Sequence, residues 1–393
     1  MDVVRFKTSP SGQLIRVGRG EAAYWAFVPR PLPPQLPADW ELSSRVSEAD
    51  RALSELAGLG RTIPNPHLLI GPFIRREAVL SSRIEGTRAD ITDLYAYEAG
   101  QLPLPGMESP PPQADVREVL NHVRALEYGL QRLDTLPVSL RLVRELHERL
   151  MEGVRGEHAT PGEFRRSQNW IGAGNCTLSD ATFVPPPAPQ MHEALDALEK
   201  YLHSEDIYPP LVRLAMIHYQ FEAIHPFIDG NGRIGRLLLS LLVVQWGLLP
   251  SPLLYLSAFF HRHRQQYYDL LLEVSAGGAW QGWVRFFLRG VAEQAHDAIA
   301  RAKRLQELQI AWRERLMQAR TSALSLRLID GLFASPILTI PDAQRLLEVS
   351  YHSAQRNVDK LVDAGILHQV GDVSYGKTFV AAEILRVIGD QSS

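Results

Sequence analysis

The sequence predicts an all-α protein: a helical core carrying one short β-hairpin, followed by a smaller C-terminal module of three helices and a hairpin. Three observations predict it. Apolar residues recur at helical spacing through most of the 393 residues. Strand-like stretches are short and fall in two places, around 171–184 and 366–380. With 45% hydrophobic residues, the chain can bury a substantial core divided among two or three domains.

Residues 1–40 read as an arm, with Val28-Pro29-Arg30-Pro31-Leu32-Pro33-Pro34 extended along the surface. From Ser47 the pattern turns helical. Ala52, Leu53, Leu56 and Leu59 share a face until Pro64-Asn65-Pro66 breaks it. Ile70, Phe73, Ile74, Glu77 and Leu80 resume the spacing and lead into Ser81-Ser82-Arg83-Ile84-Glu85-Gly86. Ser81 and Glu85 lie one turn apart, and Gly86 permits a helix end. Taken alone, this is a solvated face ending at glycine. Residues 99–114 form a proline-rich boundary loop, and helices follow at Val116–Arg132 and Ser139–Met151. From Pro161 to Pro187, through Ile171-Gly172 and Phe183-Val184, helical period is lost. That stretch reads as a short hairpin or an irregular connecting loop. Helices resume near Met191. Leu253–Val274 reads as one helix containing Tyr267-Tyr268, a pair suited to half-buried packing. Phe286, Val291, Ala295, Ile299, Leu305, Leu308 and Trp312 thread a long charged helix to about Arg320.

A net charge of −3 gives no global pull toward nucleic acid or acidic membranes. One cysteine, Cys176, excludes an internal disulfide framework and fits a reducing compartment. Met1 to Gly12 is polar and lacks a signal-peptide core. The longest apolar run, Leu237 to Leu249, is interrupted by Ser240, Gln245 and Gly247 and is too short to span a bilayer. The expectation is a soluble, cytoplasmic protein with no membrane partner.

The chemistry concentrates in His225-Pro226-Phe227-Ile228-Asp229-Gly230-Asn231-Gly232-Arg233-Ile234-Gly235-Arg236. Upstream, Leu214, Ile217, Phe221 and Ile224 predict a helix with one buried face; downstream, the Leu237 run predicts a second helix. Pro226 biases His225 out of the helical region, so His225 stands at the helix exit. Gly230-Asn231-Gly232 then forms the turn opening the second helix, where backbone N–H groups can approach an anion. Arg233 and Arg236 are three apart and point to one side. Two cations beside a nest of N–H groups make a polyphosphate cradle. Asp229 is a natural ligand for the Mg²⁺ that accompanies a nucleotide. His225 is then the group suited to accept a proton near neutral pH.

This stretch resembles the Fic (Fido) family signature: His, any, Phe, any, Asp or Glu, Gly-Asn-Gly-Arg, any two, Arg. Every specified position is matched. The resemblance implies a helical core with a hairpin flap and transfer of AMP from ATP, with Mg²⁺, to a hydroxyl on a target protein. His225 would be the base, and Asp229, Gly230, Asn231, Gly232, Arg233, Gly235 and Arg236 the ATP site. In one class of that family an N-terminal helix carries Ser or Thr, any three, Glu, then Gly or Asn. Its Glu pairs with the second signature arginine, which here implies an inhibitory Glu85–Arg236 pair with Ser81 on the same motif. A carboxylate on Arg236 would remove the cation that orients the γ-phosphate, leaving the α-phosphate misaligned. The resemblance also makes 161–187 the flap, where a target strand docks beside Ile171, Gly172 and Val184. It places Tyr267 and Tyr268 by the nucleotide. Implied domains are an arm and inhibitory region at 1–110, a catalytic core at 111–300, a connecting helix at 301–320 and a module at 321–393.

In that last segment, helical patterns at Leu324–Phe333, Pro341–Leu347 and His352–Ala364 precede strands at 365–370 and 378–380. Three helices and a hairpin resemble a winged helix, with His352–Ala364 as its recognition helix. Six Lys and Arg against eight Asp and Glu leave about −2, which argues against strong DNA binding. A packing or dimerisation module fits at least as well, so a homo-oligomer is expected.

Other readings are weaker. Glu222-x-x-His225 with His218 could be metal ligands, but no second such pair is convincingly placed. A P-loop is excluded by the absence of its motif. A kinase subgroup of the fold carries Lys where Gly232 stands, and other members move UMP or phosphocholine. Glu85 could instead activate water for AMP removal. Residues 321–393 could make the chain a transcriptional or toxin–antitoxin regulator.

Overall fold

The computed structural model describes residues 1–37, 39–62, 67–101, 103–104, 110–154, 160–173, 176–318, 322–371 and 376–389. The expected break at Pro64-Asn65-Pro66, the centre of the proline-rich loop at 105–109 and the turn at 372–375 lie outside the described residues. The chain divides into two compact units. One is Met1–Ala57 with Arg124–Ala295; the other is Gly58–Val123 with His296–Ser393. Helix dominates both, and the named strands form one two-stranded and one three-stranded sheet among the described residues.

In the first unit, the helix Pro210–Ile224 leads into the signature and Asn231–Gln245 leads out of it. We call them the incoming and outgoing helices. The incoming helix starts with Pro210 in its first turn, where a missing N–H costs nothing. It is buried almost all round from Leu211 to Ile224, rather than on one face as its spacing suggested. Neighbours from several directions explain this. Trp283 Nε1 donates to the Ala215 carbonyl at 2.7 Å, and the Tyr219 hydroxyl meets Ser275 Oγ at 2.9 Å.

The arm is not simply extended. Gly12–Val17 and Tyr24–Pro29 pair as an antiparallel hairpin, from Gly12↔Pro29 to Val17↔Tyr24. Phe27 is buried against Phe6 and Phe183, with ring centroids 5.6 and 5.8 Å away. Burial along the first of these strands does not alternate, so no two-residue period marked it. The stretch read as one helix over Leu253–Val274 is two, Ser257–Arg262 and Arg264–Gly277. His263 stands between them, its ring packed on Phe259 and Phe286.

In the second unit, His67–Ile84 and Ile91–Glu98 are helices, the latter opened by a reciprocal Asp90–Asp93 capping box. Helices Ala323–Ala334, Ile340–Leu347 and Tyr351–Asp363 and strands His368–Val370 and Thr378–Val380 match the expected C-terminal pattern. A further strand, Ile337–Thr339, pairs with Thr378–Val380 on the edge opposite His368–Val370. At three residues, all buried, it shows no alternation to read. Among the described residues, no helix is long and apolar enough to cross a membrane.

Candidate active site

The incoming helix ends in an unfavourable backbone. The His225 N–H still bonds the Phe221 carbonyl at 3.0 Å, but His225 itself is left-handed, at φ 50° and ψ 61°. Pro226 was expected to expel it from the right-handed helix; the residue turns left-handed rather than extended. Such a conformation in a non-glycine residue costs of order 1–3 kcal/mol and persists where surrounding contacts over-determine it.

Those contacts come from residues 165–169, within the 161–187 segment. Arg165 is 1% exposed. Its Nε donates to the His225 carbonyl at 2.9 Å, its Nη1 to Ser167 at 3.2 Å and its Nη2 to the carbonyls of Pro186 and Ile224. Its own backbone N–H donates to the Pro226 carbonyl at 2.9 Å. Asn169 Nδ2 donates to His225 and Phe227 carbonyls at 3.2 and 2.7 Å. Burial pushes the Arg165 guanidinium down to about 10, so it remains charged at neutral pH, against the negative end of the helix dipole.

The His225 ring is fixed too. Nδ1 lies 3.2 Å from the Glu222 carbonyl, so its proton donates there and Nε2 is the basic nitrogen. Beyond it, Asn231 staples the turn. The Phe227 N–H donates to Asn231 Oδ1 at 2.8 Å, and Asn231 Nδ2 donates to the Phe227 carbonyl at 2.8 Å. The side chain expected to touch phosphate is therefore engaged with backbone, and Asn231 offers the cradle its peptide N–H. Gly230 caps the outgoing helix at φ 79°, a position that favours glycine. Having no side chain, it leaves the first-turn N–H groups without a side-chain cap. Arg233 and Arg236 are 3% and 2% exposed on that turn, and Arg233 lies 3.7 Å from Asp229. Asp229 is exposed, its Oδ1 accepting from the Gly230 N–H at 2.6 Å. Gly232 is half-buried beside them, whereas Gly235 packs where an added Cβ would meet Glu222 Oε1 at 2.4 Å.

His147 supports the turn from below. Its ring stacks on Phe227 at 3.7 Å and 4°, it accepts from the Gly162 N–H, and its Nε2 donates to the Asp229 carbonyl at 3.0 Å. Both ring bonds require the neutral tautomer. Burial pushes His147 down to about 4, and nearby Arg233 adds to that, partly offset by the Asp229 carbonyl. The unfolded chain takes up this proton near pH 6.5, the folded one only near 4. Stability therefore falls as pH drops through that window, by about 3 kcal/mol for this residue alone. Urea unfolding from pH 7 to pH 4.5 reads the loss, and a His147→Gln protein should show a shallower acid slope. Equal slopes would refute the assignment.

The remaining predicted residues are placed as follows. Tyr267 is buried, its hydroxyl 2.8 Å from His218 Nε2, so it belongs to the core under the incoming helix. Tyr268 is the exposed member of the pair. Ile171 bridges Phe183, its N–H donating at 2.9 Å, and Ile171 and Gly172 are exposed. Val184 is buried behind that hairpin, its carbonyl accepting from the Phe27 N–H at 2.9 Å. In the second unit, Ser81 is buried. The helix ends at Ile84, and Glu85 is exposed in the turn beyond it, closed by Glu85 N–H to Ser82, Gly86 N–H to Arg83 and Thr87 N–H to Ser82. Gly86 holds that turn at φ 102°. Arg165, Asn169 and His147 were not predicted. Their bonds reach across 56 to 82 residues of sequence, and no local spacing signals them.

Residues 43–131 match the profile described as Fic/DOC family, N-terminal, and residues 137–243 that of the Fic/DOC family itself. The protein adenylyltransferase Fic of Aedes aegypti is 33% identical over 151 residues, 38% of this chain and 27% of the relative. That of Drosophila erecta is 30% identical over 179 residues, 45% of this chain and 32% of the relative. The chain thus aligns with about a third of the length of these curated relatives. A solved Fic family protein from Desulfovibrio desulfuricans G20 shares the fold. It superposes at a TM-score of 0.57 with 20% identity, over 89% of this chain and 98% of that one. With both of its regions matched in order, and the signature turn built as its spacing predicted, the stretch from 43 to 243 belongs to the Fic/DOC family.

Proposed function

We propose that this chain is a protein adenylyltransferase, moving AMP from ATP to a Ser, Thr or Tyr hydroxyl of a target protein. One observation carries the reading: a fixed imidazole at the end of one helix adjoins an uncapped helix N-terminus bearing two buried arginines. The names of the relatives support the same chemistry. The N–H groups of Asn231 and Gly232, with Arg233 and Arg236, hold the phosphates, and Tyr268 lies on the nucleotide side. His225 Nε2 takes the proton of the target hydroxyl. Its oxygen bonds to the α-phosphorus as the bond to pyrophosphate breaks, and the arginines stabilise the charge that develops. The exposed Asp229 carboxylate, an oxygen donor with room for water, fits Mg²⁺. Bound there, the ion would neutralise phosphate charge.

Glu85 is the proposed inhibitory partner of Arg236, and residues 111–300 the catalytic core. The segment 321–393 is a winged-helix-like packing or dimerisation module, which the helix and strand order supports. Incubation of the chain and a cell extract with ATP labelled on either the α- or the γ-phosphate tests the activity. Protein-bound α-label with release of pyrophosphate is expected. Protein-bound γ-label alone would mean kinase chemistry and sink the proposal.

A further inference from the structure

His225 stands in a left-handed backbone at the helix exit. Two side chains outside the signature hold its carbonyl. Arg165 Nε and Asn169 Nδ2 both donate to that one oxygen, at 2.9 and 3.2 Å. The same two residues bind the carbonyls on either side. Arg165 reaches Ile224 through Nη2 and Pro226 through its backbone N–H, while Asn169 reaches Phe227. Four consecutive carbonyls, from Ile224 to Phe227, are therefore clamped by a five-residue stretch, 165–169, within the 161–187 segment. A guanidinium fork presents several donors in fixed geometry, which a lysine cannot reproduce. Among the described residues Arg165 has no carboxylate within ion-pair distance; carbonyl oxygens surround its charge.

We propose that Arg165 and Asn169 are positioning residues for the His225 base. They over-determine its left-handed backbone, and so fix where Nε2 meets the incoming hydroxyl. The segment that carries the docking hairpin is thus also the one that sets the catalytic ring. This inference rests on His225 being the proton acceptor in AMP transfer.

The test is steady-state auto-modification of the full chain, on an activated Glu85→Gly background, with ATP varied. Asn169→Ser removes two donors without burying a charge. It should lower kcat by about 10- to 100-fold, the scale of a base misplaced by a fraction of an ångström to one ångström. The KM for ATP should stay within twofold, because the cradle is untouched. Arg165→Gln should lower kcat similarly, again with the KM for ATP within twofold. Arg165→Lys keeps the cation but not the fork, so it should lose kcat as well. A clamp that only holds the fold would lower stability without this kcat-selective loss. Should Arg165→Gln fail to fold, Asn169→Ser decides alone: a folded protein with kcat within twofold of its parent, or one whose loss lies wholly in KM, overturns the proposal. His225→Ala measured alongside separates the two levels. If His225→Ala is inactive and Asn169→Ser is normal, only the positioning role fails. If His225→Ala is active, the reading beneath it fails.

Discussion

Replacing His225 by alanine should cut AMP transfer by roughly 10²- to 10⁴-fold, the range that a positioned general base contributes. This corresponds to about 3–5 kcal/mol of transition-state stabilisation at 1.36 kcal/mol per decade. The loss should appear in kcat. The imidazole lies at the helix exit, bonded through Nδ1 to the Glu222 carbonyl. In the proposed mechanism the phosphate contacts belong instead to the outgoing helix and its two buried arginines. ATP affinity, read by calorimetry, should therefore change little. Fold should also survive, since alanine removes only the ring and leaves the carbonyl that Arg165 and Asn169 hold. Mass spectrometry of the chain after incubation with Mg·ATP counts the AMP groups added. A His225→Ala protein modified at the parental rate would end the assignment.

Converting Glu85 to glycine should have the opposite sign. If its carboxylate occupies Arg236, the guanidinium is withheld from the γ-phosphate, and ATP binds with its α-phosphate out of line. A charge-assisted hydrogen bond of about 1.5–3 kcal/mol implies activation on the order of 10- to 100-fold once it is removed. Glu85 stands on a tight turn, with three backbone hydrogen bonds around it and Gly86 at φ 102° closing the bend. Auto-modification of Glu85→Gly measured against the parent decides the point, and equal or lower incorporation would remove the inhibitory role. The same protein answers a second question. If an AMP-modified target keeps its label with Glu85→Gly but loses it with the parent, Glu85 serves AMP removal instead.

The His225–Arg236 turn was legible from residues alone because its parts are local. Proline ends a helix, glycine permits the left-handed cap, and arginines three apart share a side. Each is a rule about neighbours in sequence, and the structure builds the turn accordingly. The helices around it were legible for the same reason, apart from the break at His263. What the chain could not announce is which distant groups meet that turn. That Asn231 would bond Phe227 rather than face a phosphate, that Tyr267 would join the core beneath His218, and that residues 12–29 would fold as a hairpin onto the flap all depend on three-dimensional packing. So do Arg165, Asn169 and His147, whose bonds to the turn close loops of 56 to 82 residues. Spacing along a chain encodes the face a residue presents to its own helix; it carries no record of the partner that packing brings to that face.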